Sequence, residues 1–304
     1  MKNQGIIARL WSSPYLLLTL APLFWAGNFV VGRAILTSAP PISLAFWRWT
    51  LALIPVLWLG RRHIDYAAEW RVLRANLPLV ALLAVLGISI FNTFVYFGLQ
   101  QTSSVNAMLL QSMIPLLILL ACFLLYGERP NAPQIAGVAL SLAGVGFIAT
   151  QGHLAQLARV TVNAGDLWVF AAVVAYAAYS ALLRKRPPLH PLVFLAATFA
   201  IGALALLPFH IREHMSGHVL PLNAATLGTL AYLVIFPSIL SYLFFNRGVE
   251  LVGAGRAGLF IHLLPVFGSI LAVVFLRERI EGFHIAGAAL IGAGLVIASR
   301  SRKA

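Results

Sequence analysis

The sequence predicts an all-α membrane protein, ten transmembrane helices forming two inverted five-helix repeats, and three observations carry that prediction. The chain is 61% hydrophobic and only 10% charged, which is more apolar surface than a soluble domain buries; its apolar residues gather into runs of about 20, the length that crosses a bilayer. Residues 86 to 149 slide onto residues 236 to 299 at a constant offset of 150 without a gap. The register is fixed by Phe94/Phe244, Gly98/Gly248, Leu109/Leu259, Pro115/Pro265, Glu128/Glu278, Arg129/Arg279, Gly137/Gly287 and Gly144/Gly294. Five spans per copy is an odd number, so the second copy enters the membrane from the opposite side, and a pseudo-twofold axis in the membrane plane relates the two.

Each span is a run bounded by polar or charged residues. The first, 14 to 36, is followed by a nearly uncharged loop at 37 to 41; the second, 41 to 60, is closed by Arg61, Arg62, Arg71 and Arg74. The third, 76 to 99, ends at the polar stretch 100 to 104, and the fourth, 104 to 126, at Gly127-Glu128-Arg129. A Gly-rich fifth span, 132 to 150, completes a first repeat over 1–151. In the second repeat, 152–304, span six (165 to 184) opens at Asp166 and ends at Arg184-Lys185-Arg186, and span seven (190 to 209) is followed by Arg212 and three histidines. Span eight covers 223 to 246, span nine 256 to 276, ahead of Arg277-Glu278-Arg279, and span ten 282 to 299. These connections are too short to hold a soluble domain. Lys2 and Arg9 ahead of a Leu-rich stretch, with Ala26-Gly27 after it, imitate a cleaved leader. The run is read as a retained span, because its loss would leave span six without a counterpart.

A net charge of +13 would suggest nucleic acid in a soluble protein, but here the basic residues sit in loops, where they set orientation. With the N-terminus inside, the cytoplasmic side receives Lys2, Arg9, Arg61, Arg62, Arg71, Arg74, Arg129, Arg184, Lys185, Arg186, Arg247, Arg256, Arg300, Arg302 and Lys303. The other side receives Arg33, Arg159, Arg212, Arg277 and Arg279, so the bias is 15 to 5, with Arg48 left inside a span. The expectation is a multi-pass plasma (inner) membrane protein with both termini cytoplasmic. Three of the four loop pairs carry opposite charge bias, as inversion requires; the fourth, Arg129 against Arg277 and Arg279, does not. The lone Cys122 excludes an internal disulfide.

Several motifs resemble the drug/metabolite transporter superfamily, specifically its ten-helix EamA-type exporters. They are Phe24-Trp25-Ala26-Gly27-Asn28-Phe29-Val30 in span one, the run from Pro41 to Arg48, and the paired Gly127-Glu128-Arg129 and Arg277-Glu278-Arg279, each ahead of a Gly-rich helix (Gly137, Gly144, Gly146; Gly287, Gly292, Gly294). The resemblance covers nearly the whole chain. It implies export of small metabolites, often amino acids and including aromatic ones, by alternating access through a cavity between the repeats.

Polar side chains are costly in hydrocarbon and face a bundle interior or a water-filled path, so polar stripes mark candidate binding residues. Ser89, Asn92 and Tyr96 share a helical face in span three, and Ser238, Tyr242 and Asn246 do so in span eight. Asn92 maps onto Tyr242 and Tyr96 onto Asn246, an amide and a phenol in exchanged order. Trp25 and Asn28 in span one answer Tyr176 and Tyr179 in span six, and Gln111 in span four precedes a proline as His262 does in span nine. Such a lining suits an amphipathic solute with an aromatic ring, since asparagine grips carboxylate or ammonium without carrying charge. Interhelical hydrogen bonding and core packing are the bland alternatives for each residue.

Pro115 and Pro265 are expected to kink paired helices and so to act as hinges, or merely to bend them. His262 would be either a satisfied neutral histidine or the carrier of a coupling proton. Arg48 has three readings: its side chain snorkels to the outer surface, pairs structurally, or holds a substrate carboxylate. Trp47, Trp49, Trp58, Trp70 and Trp168 near span ends are expected to be interfacial anchors. His210, His214 and His218 repeat at i, i+4, i+8 but lie in an expected outer loop with nothing to complete a metal set, so neither metal nor cofactor is expected. The expected partners are a small-molecule substrate and the lipid bilayer, with no nucleic acid. Small-residue faces, Gly137 with Ser141 and Ala288 with Gly292, would pack together or against a second subunit. A polyspecific drug or cation exporter is the alternative within transporters, although no mid-span carboxylate is available to meet a cation. An intramembrane enzyme is the alternative from another class, and the chain has no His-Glu-x-x-His, Gly-x-Ser-x-Gly or Walker motif to support it.

Overall fold

The structure, a computed structural model, describes residues 4 to 35, 39 to 61, 64 to 153, 155 to 156, 161 to 276 and 279 to 299. Lys2, Arg62, Arg159, Arg277, Glu278, Arg300, Arg302 and Lys303 lie outside the described residues, as does the side chain of Arg33.

The described chain is helical from end to end. A short α1 (Gln4–Trp11) leads into α2 (Pro14–Ile35) and α3 (Pro41–Gly60). Next come α4 (Tyr66–Ala75), then α5 (Leu77–Ala84) and α6 (Phe91–Leu99), joined by a π-helical segment, Val85–Ile90. The fourth span is broken into α7 (Ser104–Gln111) and α8 (Ile114–Tyr126), and α9 (Ala132–Ala149) closes the first repeat. The second repeat runs through α10 (Ala164–Leu182), α11 (Pro191–Met215) and α12 (Ala224–Leu233), a second π-helical segment, Val234–Leu240, and α13 (Ser241–Val252). It ends with α14 (Ala254–Leu259), a 3-10 turn (Phe260–His262), α15 (Leu263–Leu276) and α16 (Gly282–Ser299). Among the described residues nine helical segments are long and apolar enough to cross a membrane. The 22 residues of α2 supply the length of a tenth, at about 1.5 Å per residue.

The inverted relation of the repeats is visible in α9 and α16. These helices pack antiparallel with backbones nearly touching: a Cβ added at Gly137 would fall 2.5 Å from Gly294 O, and one added at Gly144 would fall 2.7 Å from Gly287 O. Between those two contacts Ser141 Oγ donates to Ile291 O at 3.4 Å. Ser141 and Ile291 are themselves 150 residues apart, so the axis passes between them, perpendicular to both helices. In lipid, where apolar burial does not drive helices together, such close backbone approach is what small residues provide. The α16 face therefore consists of Gly287, Ile291 and Gly294 rather than the expected Ala288 and Gly292, since a Cβ at Gly292 would meet nothing within 4 Å.

Two other expectations are corrected. The loop expected after span two contains α4, whose N-terminus is capped by Asp65 accepting from Ala67 N and Ala68 N. Span seven extends to Met215, so His210 and His214 are helical rather than loop residues. His210 is occupied: Nδ1 lies 2.9 Å from Ser43 Oγ and its ring stacks on Phe46 at 4.4 Å.

Candidate functional site

The two π-helical segments occupy equivalent places in the repeats, and they shape the middle of the molecule. A π turn closes i to i+5, which widens the helix and leaves carbonyls open to side-chain donors. In the second repeat the cause is Pro237: it has no N–H, so Leu233 O loses its i+4 partner. Ser238 Oγ donates to Leu233 O instead, at 2.7 Å, while Trp25 Nε1 donates to Pro237 O at 3.0 Å. The residue equivalent to Pro237 is Gly87, and its carbonyl accepts from Tyr242 OH at 2.5 Å. Both widened turns thus take a cross-repeat aromatic donor at the same register.

The π turns also overturn part of the stripe reading. Residues three or four apart no longer share a face where five close a turn, so Ser89 points to α11 and donates to Gly202 O at 3.0 Å. Ser238 faces α3, as Tyr242 does, through Arg48 and Trp49 respectively. The aligned Asn246 is bound by Tyr179, whose OH donates to Asn246 Oδ1 at 2.9 Å, one layer away from the centre.

The centre is a small cavity of about 30 Å³, lined by Trp25, Asn28, Asn92, Tyr96, Gln111, Tyr176 and Tyr242, and by Arg48. Seven of the twelve residues singled out from sequence therefore come together; Ser89, Ser238, Tyr179, Asn246 and His262 do not line it. Phe91, Val95, Ile114, Ile261 and Leu264 supply apolar wall without any signal in sequence, because hydropathy does not separate a cavity wall from a lipid-facing residue. Trp25 makes edge contacts with the rings of Tyr176 and Tyr242 at 5.8 and 6.0 Å, and Phe91 lies 4.5 Å from Tyr176. The space has room for about one or two waters.

Arg48 does not snorkel. It is 1% exposed, with Nε donating to Ser238 Oγ at 2.6 Å and Nη1 donating to Asn92 Oδ1 at 3.1 Å and Tyr96 OH at 3.0 Å. The guanidinium also lies 4.5 Å from the Trp49 ring centroid. The side chain cannot reach the interface because α11 and the π segment of the second repeat close over α3. Trp49 is corrected with it: fully buried against Phe199 and Tyr242, it is a core residue and not an interfacial anchor. Trp47, Trp58, Trp70 and Trp168 remain exposed, as anchors require.

The fourth and ninth spans break at equivalent points, α7 to α8 and α14 to α15. Pro115 and Pro265 each sit in the first turn of the new helix, where a missing N–H costs nothing. At the break His262 Nε2 lies 2.8 Å from Ser112 O, again an equivalent pair. A carbonyl only accepts, so Nε2 carries the hydrogen, and Nδ1 is buried without a partner. Among the described residues no group of three His, Cys, Asp or Glu is placed to hold a metal ion.

Comparison with known proteins agrees with this architecture. The description "EamA-like transporter family" matches residues 12–150 and again 163–300. The chain is 27% identical over 286 residues to the uncharacterized transporter YyaM of Bacillus subtilis, covering 94% of this chain and 93% of that protein. It is also 27% identical over 293 residues to a probable amino-acid metabolite efflux pump of Salmonella typhimurium, covering 91% and 92%. A protein of known crystal structure superposes with a TM-score of 0.78 over 95% of this chain and 96% of that one, at 24% identity, a likeness of fold.

Proposed function

The chain belongs to the EamA-like transporter family, and from that premise we propose that it exports amino acids or closely similar small metabolites by alternating access through the cavity between its repeats. The observation that carries the reading is the lining itself. Amide, phenol and indole groups drawn from the two repeats meet around one space, where a solute is exposed to either side as the repeats rock. The amino-acid metabolite efflux pump of Salmonella typhimurium supports the substrate class. The paired breaks ahead of Pro115 and Pro265 are the proposed hinges. A cation exporter finds less support, because no carboxylate is among the lining residues.

The test is saturable counterflow by the full chain in liposomes, with radiolabelled tryptophan, phenylalanine, threonine and a lipophilic cation, with and without a pH gradient. Exchange of amino acids that is lost in an Asn92→Ala/Tyr242→Ala variant supports the site; movement of the cation alone rejects the substrate class. The proposed location is the plasma membrane with both termini cytoplasmic. In a Cys122→Ala background, Ser216→Cys should react with an impermeant maleimide on intact cells and Pro188→Cys only after permeabilisation, whereas the reverse pattern rejects this orientation.

A further inference from the structure

Among the described residues Arg48 is a buried cation without a buried anion. Its described partners, Ser238, Asn92 and Tyr96, are all neutral, and none of the ion pairs among the described residues includes it. The described acids are committed elsewhere. Asp65 caps α4, Glu69 accepts from His190 N, and Asp166 binds Thr102 and Asn106. Glu128 pairs with Arg184, Glu250 pairs with Arg186 and Arg247, and Glu213 accepts from Ile42 N and Ser43 N. Glu281 is exposed.

An uncompensated charge at this depth is expensive, and such residues mark sites where an opposite charge arrives. Arg48 lines the cavity, and its fork is the geometry that receives a carboxylate through two parallel hydrogen bonds. Two further groups on the same wall have unmet capacity: Asn28 Oδ1 and Tyr176 OH are buried without hydrogen-bond partners. An ammonium or hydroxyl group on the solute would satisfy them, but neither supplies the missing negative charge.

We infer that Arg48 is the substrate-binding cation of this transporter, and that its substrates are small solutes bearing one free carboxylate, which displaces Asn92 and Tyr96 from Nη1 on binding. Ser238 keeps Nε, so the guanidinium stays anchored to the second repeat while the solute takes over its contacts to the first. The inference rests on the transport reading above and narrows it.

The experiment compares three solutes with the same ring in counterflow by the full chain: phenylalanine, 3-phenylpropionate and phenethylamine. They carry both charges, the carboxylate alone and the ammonium alone. Wild type should exchange the two carboxylates and discriminate against phenethylamine by roughly 10⁴-fold, the scale on which a site built to hydrogen-bond one polar group rejects analogues without it. Arg48→Gln should lose carboxylate exchange, and Arg48→Lys, which keeps the charge without the fork, should retain a fraction of it. The wild-type comparison holds even where a variant does not fold. Exchange of phenethylamine as fast as 3-phenylpropionate, or a folded Arg48→Gln carrying carboxylates at the wild-type rate, overturns the inference and leaves the transport reading intact. Movement of none of the three, nor of tryptophan or threonine, overturns both.

Discussion

Asn92 and Tyr242 stand at the same register of the two repeats, 150 residues apart, and are hydrogen-bonded to each other, Asn92 Nδ2 donating to Tyr242 OH at 3.3 Å. Tyr242 OH in turn donates a hydrogen bond to Gly87 O, and Asn92 Oδ1 accepts from Arg48 Nη1. A chain of hydrogen bonds therefore runs from the buried cation, through the axis pair, to the carbonyl opened by the first π turn.

Tyr242→Phe keeps the ring contacts with Trp25 and Trp49 but breaks that chain, leaving Gly87 O without its strongest donor. Thermal unfolding in detergent should fall by the equivalent of about 1 kcal/mol, the scale of one interhelical hydrogen bond. Transport should fall further than stability does; an unchanged KM would remove Tyr242 from the site.

Gly144→Val should be among the most damaging single changes in the chain, because a Cβ there meets the backbone oxygen of Gly287 and cannot be relieved by a rotamer change. A loss of about 2 to 4 kcal/mol is expected, read as a lowered melting temperature and poor recovery on size exclusion. Gly146→Ala and Gly292→Ala, where an added Cβ meets nothing within 4 Å, are the matched controls and should be neutral to slightly stabilising.

Glu213 holds the N-terminus of α3 from a distance: its carboxylate accepts from Ile42 N at 3.3 Å and Ser43 N at 2.6 Å, while α3's own N-cap, Pro40, offers no side-chain acceptor. Glu213→Ala should cost about 1 kcal/mol, as loss of a helix cap does. Glu213→Gln, which keeps an acceptor but not the charge, should recover part of it. Equal melting temperatures for all three proteins would remove this role.

His262→Gln preserves a donor toward Ser112 O, whereas His262→Leu leaves that carbonyl unpaired. The glutamine variant should transport within about threefold of wild type and the leucine variant should lose roughly 1 kcal/mol of stability. If His262 carried a coupling proton, the glutamine variant would instead abolish accumulation driven by a pH gradient while sparing counterflow.

The fold was largely legible because in lipid an apolar run and a helix are nearly the same object: the expected spans 41 to 60 and 282 to 299 are α3 and α16 as observed. Legibility failed where polarity and helicity part. His210, Arg212 and His214, which argue for a loop, lie in the last turns of α11, with His218 beyond its end, and the arginine-rich connection after α3 contains the ten-residue α4. The π turns escaped because hydropathy is blind to whether a turn closes after four residues or five, although Pro237 was a visible signal. Without the turns, Ser89 falls on the face of Asn92 and Tyr96, which it does not share. Arg48 was noticed, but its burial depends on α11 and the second repeat closing over it, a tertiary fact that position within one span does not contain.

Three pairs of equivalent residues touch each other across the axis: Asn92 with Tyr242, Ser112 with His262, and Ser141 with Ile291. In every one the partners differ in kind, while the glycines flanking the axis, Gly137 with Gly287 and Gly144 with Gly294, are alike. Two separate copies of one half-length chain, assembled as a homodimer, would have to place identical residues at each of these self-contacts, amide on amide or imidazole on imidazole. Joining the halves in one polypeptide lifts that requirement where it binds hardest. The centre of this molecule is consequently the part in which the duplicated halves have least reason to remain copies.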